Sequence, residues 1–170
     1  MAGRLSAGIM LFRLGSAGVE VLLAHPGGPF FARQDAGSWT IPKGEPSTED
    51  EGATPASLLR IARREFEEET GHRLPDRDPI PLGFISQRGG KAVHAWALED
   101  DLDPATARSN TFEIEWPPRS GRRTTFPEVD RVAWFGPQEA RRRIRQAQVP
   151  LLDRLQAALE ASRDKVSGAQ

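Results

Sequence analysis

Short apolar runs broken by Gly-containing turns open the chain, then give way to apolar residues spaced by three and four. The run over 5–14 predicts a strand, Gly15-Ser16-Ala17-Gly18 a turn, and 19–24 a second strand, together a hairpin. His25-Pro26-Gly27-Gly28-Pro29 breaks regular structure and leaves Phe30 and Phe31 in a loop. The segment 44–54 is polar and contains Gly and Pro, so it is predicted as a loop leading into a helix.

That helix has signals at both ends. Thr54 suits the N-cap, and Pro55 suits the first helical position, where an N–H would be unpaired anyway. Gly71 suits the left-handed residue that ends it. With Leu58 set to zero on a helical wheel, Ala62 falls at about +40°, Phe66 at about +80° and Ile61 at about −60°, which defines the buried face. Glu65 at about −20° and Glu69 at about +20° lie in the middle of that stripe. Glu68 lies at its edge, and Glu67 points away.

Further strands are predicted over 82–87 and 92–98, joined by an Arg88-Gly89-Gly90-Lys91 turn, then near 111–116 and over 131–135. Residues 117–123 form an irregular basic loop, and helices over 137–148 and 151–162 close the chain. Strands on both sides of a central helix, with helices at the end, give an α/β domain with a central mixed β-sheet. A single domain over 1–163 is expected, followed by a flexible tail at 164–170. Trp39, Trp96 and Trp134 lie in apolar strand-like runs and are expected in the core, and His25 and His94 are expected as satisfied structural histidines.

Bulk properties narrow the classes. A chain of 170 residues with 38% hydrophobic residues can bury a sizeable core. A net charge of −1 gives no general reason to hold nucleic acid or an anionic membrane. Without Cys there is neither a disulfide framework nor a thiolate metal site. The apolar stretch 9–12 is too short for a signal peptide or a membrane span, so a soluble, cytoplasmic protein is expected.

The stretch Arg64-Glu65-Phe66-Glu67-Glu68-Glu69-Thr70-Gly71 changes the picture most. Like charges at i, i+4 cost roughly 0.2–0.5 kcal/mol even on an exposed helix. Partial burial adds several kcal/mol per ion when nothing compensates it, and the C-terminal end of a helix dipole disfavours anions. The alternative is a solvated charged face, with Arg64 paired to Glu68 and Arg63 to Glu67. Alignment of Glu65 and Glu69 with Leu58 and Ala62 favours a metal site instead.

These residues resemble the Nudix hydrolase signature, whose second half matches at Arg64, Glu65, Phe66, Glu68, Glu69 and Gly71. The approach Trp39-Thr40-Ile41-Pro42-Lys43-Gly44-Glu45 is similar to the family's, with Gly44 as its opening Gly. Phe126-Pro127-Glu128-Val129-Asp130 and the strand after it resemble the acidic turn that often closes the domain. The spacing departs from the pattern: 20 positions separate Gly44 from Arg64 where the family has 14, counted directly on the chain. Ala56 therefore stands where the first Glu is expected, and Glu45, Glu49 or Glu51 are candidates to replace it. His72 occupies a position usually bulky and apolar.

The resemblance implies a Nudix-like α/β/α sandwich and hydrolysis of a pyrophosphate bond. Oxygen-only ligands favour Mg²⁺, or Mn²⁺, and such ions pair with phosphate oxygens. Glu65, Glu68 and Glu69 are the expected ligands, with the carbonyl of Gly44 a further one by resemblance, and Arg64 orienting a carboxylate. The base is either a box carboxylate or a loop carboxylate such as Glu128, Glu113 or Glu115, although alternation with Phe112 and Ile114 already explains the last two as a solvent face.

Candidate substrate contacts are Lys43, Arg88 and Lys91 for phosphate, and Phe31 and Trp116 for a base. Arg119, Arg122 and Arg123 are further basic residues in a loop. The expected ligand is a nucleotide, with dinucleoside polyphosphates or nucleoside triphosphates ahead of ADP-ribose and nucleotide sugars. A nucleotide-sensing module without catalysis is the alternative. An RNA 5′-end substrate would require a broader basic surface. No nucleic-acid or membrane partner is expected, and the sequence leaves the oligomeric state open.

Overall fold

β1 (Leu5–Gly15) sends Ala7, Ile9 and Leu11 to one face of a sheet and Met10 and Phe12 to the other, all of them buried. A strand buried on both faces needs cover on both. In the computed structural model, which describes residues 4–47 and 54–168, that cover is helical on each side. α1 (Pro55–Thr70) lays Leu58, Ile61, Ala62 and Phe66 on the first face. α2 (Pro137–Arg143) and α3 (Val149–Ser167) cover the second with Ala140, Leu151, Leu152 and Leu155. The architecture is the expected α/β/α sandwich.

The sheet runs β4 (Ile80–Gln87), β5 (Lys91–Glu99), β1, β2 (Gly18–Pro26), β8 (Val129–Phe135), with β3 (Lys43–Gly44) added to β1. β1 and β5 are parallel and the other pairs antiparallel, so the sheet is mixed. β1 divides its length: Ala7 and Gly8 pair with Gly44 and Lys43, while Phe12 to Gly15 pair with β2. Gly44, expected to open a loop, is thus held with Lys43 to the sheet immediately below α1.

Three other elements differ from expectation. β6 (Thr111–Glu115) and β7 (Arg123–Pro127) form a separate two-stranded sheet, where residues 123–127 were expected in a loop and turn. Cross-strand pairs Phe112↔Phe126 and Ile114↔Thr124 supply its apolar face, a contact that the polar stretch Arg-Thr-Thr does not advertise. The predicted helix over 137–148 stops at Arg143, because Ile144 turns extended and bridges Trp39. α3 begins at Val149 and runs on to Ser167, taking in residues expected in the tail. Among the described residues no helix is long and apolar enough to cross a membrane.

Candidate active site

Capping decides where the acidic end of α1 lies. Thr54 accepts the Ser57 N–H at 3.2 Å, and Gly71, at φ 72°, returns its N–H to the Glu67 carbonyl at 2.7 Å. The carbonyls left over at the helix end find partners in the 108–110 segment: Arg108 N–H donates to Thr70 and Asn110 N–H to Glu68, each at 2.8 Å. The Asn110 carbonyl in turn accepts the Glu128 N–H at 2.9 Å. Two backbone hydrogen bonds therefore tie Glu128 to the acidic turn of α1, across a large separation in sequence.

Glu65 rests directly on Gly44. A Cβ at residue 44 would lie 2.1 Å from the Glu65 Cδ, so only glycine leaves room for this carboxylate. Glu69 accepts the Lys43 N–H at 3.1 Å. Burial pushes the Glu69 carboxyl up to about 8, with the neighbouring Glu65 adding to the effect and the Lys43 N–H opposing it. Glu65 is raised by burial and by Glu68, and lowered in part by Arg64. Arg64 stands 3.6 Å from Glu65 and 3.8 Å from Glu68, as expected of a residue that orients carboxylates. Glu68 is the outlier, 44% exposed on the outer edge. Arg63 does not pair with Glu67; it donates instead to the carbonyls of Pro75 and Arg77 and pins the loop after the helix.

Beside this acidic bed lies a cleft of about 190 Å³, lined by Thr40, Lys43, Glu69, Glu128, Val129 and Arg145. Burial raises the Glu128 carboxyl and lowers the Lys43 ammonium, and the Arg145 charge lowers Lys43 further. A larger surface hollow of about 670 Å³ between Arg13, Asp101 and Trp134 contains none of the acidic helix residues.

Sequence reasoning missed Arg145. It fell within the helix expected over 137–148 and was given no role. In the structure the break at Ile144 lets Arg145 N–H donate to the Trp39 carbonyl at 2.8 Å. The fully buried Gln148 completes the anchor: its Oε1 accepts the Ile41 N–H at 3.0 Å and its Nε2 donates to Thr40 Oγ1 at 2.8 Å. The Arg145 guanidinium lies 5.6 Å from the centre of the Phe31 ring. Pro150, suited to the start of a new helix, was the one local sign of a break.

The remaining candidates divide. Phe31 reaches the cleft edge through Arg145, while Trp116 meets Phe30 edge-on at 5.5 Å, joining the 27–34 loop to the β6–β7 hairpin. That loop is anchored by His25, wholly buried, whose Nδ1 faces Asp130 at 2.9 Å and Nε2 the Gln34 carbonyl at 2.6 Å. His94 is buried too, stacked 4.1 Å from Trp96, but its Nδ1 has no hydrogen-bond partner among the described residues, so it is not the satisfied histidine expected. Arg88 and Lys91 sit exposed at the β4–β5 tip and do not line the cleft. Glu113 pairs with Arg123 at 2.7 Å and Glu115 accepts the Gly121 N–H, both on the exposed face of the hairpin. Trp39 and Trp96 are core and Trp134 is half-buried. His72 replaces an apolar anchor with a 2.8 Å contact to Asp100.

Of the residues weighed as replacements at the Ala56 position, Glu45 is half-exposed and 3.9 Å from Arg4, while Glu49 and Glu51 lie outside the described residues. The donor set that remains is carboxylate and carbonyl oxygen, which suits a hard divalent cation, and the mutually repelling Glu65 and Glu69 are groups that a cation would relieve. Among the described residues no three acidic or histidine side chains converge enough to enclose an ion as they stand. The fit is therefore one of donor type and charge, centred on Glu65, Glu69 and Gly44.

No protein-family model and no curated protein matches this sequence. Solved structures do. The Nudix domain of Shewanella oneidensis NrtR complexed with ADP ribose superposes with a TM-score of 0.63 at 16% identity, over 94% of this chain and 90% of that one. A C. elegans Ap4A hydrolase binary complex gives 0.63 at 18% identity, over 92% of this chain and 98% of that one. A mutT/nudix family protein from Listeria innocua gives 0.61 at 17% identity, over 95% and 97%. At such identities the likeness is one of backbone architecture, and the fold of this chain is the Nudix fold.

Proposed function

We propose that this chain is a divalent-metal-dependent pyrophosphohydrolase. Its substrate is a nucleoside diphosphate linked to a further group, with dinucleoside polyphosphates or nucleoside triphosphates ahead of ADP-ribose and nucleotide sugars. One observation carries the reading: Glu65 and Glu69, like charges held partly buried at the wrong end of a helix dipole, face Gly44 and Lys43 beside a cleft that also holds Glu128. That two proteins of this fold are named for an adenine nucleotide, as ligand or as substrate, supports a nucleotide ligand.

Glu65, Glu69 and the Gly44 carbonyl would hold the metal, with Glu68 reachable by a rotation of its exposed side chain. Mg²⁺ or Mn²⁺ bound there supplies Lewis acidity toward phosphate oxygens and toward water. Lys43 places a positive charge on the phosphate chain. Arg64 keeps the Glu65 carboxylate turned toward Gly44. Glu128 is the base: burial holds its carboxyl above the ordinary range, closer to the working pH of a group that must accept a proton from water. Water adds to phosphorus, its proton passes to Glu128, and the bond to the bridging oxygen breaks, releasing two phosphorylated products.

The test is phosphate release, coupled to a phosphatase, from diadenosine tetraphosphate, the common triphosphates, ADP-ribose and nucleotide sugars, with and without Mg²⁺. Mg²⁺-dependent turnover of one class is the expected result. The outward placement of Glu68 favours a second reading, a nucleotide-sensing module without catalysis. Binding without turnover across the whole panel would establish it.

A further inference from the structure

Arg145 is a cation that nothing among the described residues answers. Its guanidinium makes no hydrogen bond or ion pair to any of the described residues, and its burial is offset by no carboxylate. The guanidinium lies over the Phe31 ring, which does not neutralise it. Lys43 lines the same cleft, and the two positive charges repel. Glu69 offsets the charge of Lys43 but does not bear on Arg145.

Neither residue is a loose surface cation. Lys43 belongs to β3, and Arg145 hangs from a backbone bonded to Trp39 and locked by Gln148. A half-buried guanidinium on an anchored backbone, unpaired among the described residues and beside a second cation, is arranged for an anion that arrives from outside. Size limits which part of a ligand enters. Pockets that enclose whole small molecules run about 300–1,000 Å³. At about 190 Å³ the cleft takes a stretch of phosphate and leaves the base outside, within reach of Phe31.

Resting on the hydrolase reading of the same site, we propose that Arg145, with Lys43, grips a phosphate beyond the pair whose anhydride is cleaved. The cleft thereby selects chains of three or more phosphates over diphosphate diesters such as ADP-ribose and nucleotide sugars. A diphosphate diester has no further phosphate to offer Arg145. A polyphosphate chain reaches it, and a fork of donors meets phosphate oxygens in pairs. Arg145 is then the residue that determines substrate class.

The test measures binding at pH 7 in EDTA by calorimetry, with diadenosine tetraphosphate and ADP-ribose as probes and no turnover involved. Wild type should bind the tetraphosphate at least about tenfold more tightly than ADP-ribose. Arg145→Met, which keeps the stem against Phe31, should weaken the tetraphosphate by about tenfold and leave ADP-ribose within about twofold. Arg145→Lys, which preserves the charge and serves if the Met variant folds poorly, should retain part of the preference. Equal weakening of both probes, or an unchanged preference in either variant, overturns the proposal. The two readings fail separately: turnover with a preference indifferent to Arg145 sinks the clamp alone. A preference lost in Arg145→Met without any turnover sinks the hydrolase alone.

Discussion

Replacing Glu69 by Gln should stabilise the metal-free protein while abolishing turnover, and the pH dependence of that gain follows from the site. Burial raises the Glu69 carboxyl from 4.5 to about 8. The folded protein thus binds a proton that the unfolded chain has released, and stability must fall as pH rises through the window from about 4.5 to about 8. A tenfold change in proton affinity is worth about 1.4 kcal/mol, so the ionised form costs up to about 3 kcal/mol at pH 7 and somewhat more above pH 8. Gln keeps the shape and can still accept the Lys43 N–H, but it carries no charge to bury. In EDTA the variant should melt higher than wild type by roughly 8–16 °C at pH 7.5, from about 4 kcal/mol at about 2–4 °C per kcal/mol, with the two curves converging near pH 5. Mg²⁺ should close the gap by stabilising wild type and leave Glu69→Gln nearly unmoved. Thermal melts from pH 5 to 8, with and without Mg²⁺, decide it. Parallel curves in EDTA would show that Glu69 is not a buried, uncompensated charge, and full Mg²⁺-dependent activity in the variant would remove the site assignment with it.

Other consequences are open to similar tests. Gly44→Ala sets a methyl 2.1 Å from the Glu65 Cδ, which must retreat by more than an ångström; a displacement of that size should cost about 10²-fold in turnover, with the melting temperature nearly unchanged because only a flexible side-chain end has to move. His25→Leu removes the buried ring that ties Asp130 and the Gln34 carbonyl to the core; both acceptors stay near the surface, so denaturant unfolding should show a loss of about 1–3 kcal/mol. Gly71→Ala forces a side chain onto a residue at φ 72° with the Arg108 carbonyl 3.0 Å from the new Cβ, so a loss of about 1–2 kcal/mol is expected in the same assay.

Much of this protein is written locally. The first hairpin, the Thr54 and Gly71 caps of α1, and the core roles of Trp39 and Trp96 follow from periodicity and end signals that act within a few residues. The conflict that marks the site is local as well, because a helical wheel already places Glu65 and Glu69 on the stripe of Leu58 and Ala62. Misses gather where a distant partner overrides local preference. Residues 123–127 read as loop until they pair with β6, and 137–148 reads as one helix until Trp39 draws Ile144 and Arg145 into an extended path.

The sequence by itself thus determined that an acidic helix end would be buried, since spacing at 3.6 residues per turn is a property of the helix alone. Only the tertiary structure decided what that end would face. Gly44 comes under Glu65 because β3 pairs with β1, and Glu128 comes beside it because Asn110 bridges helix and strand by its own backbone groups. Arg145 enters because a helix breaks to satisfy Trp39. Each of these depends on hydrogen bonds closing between segments far apart in the chain, whose partners become known only when the sheet has formed.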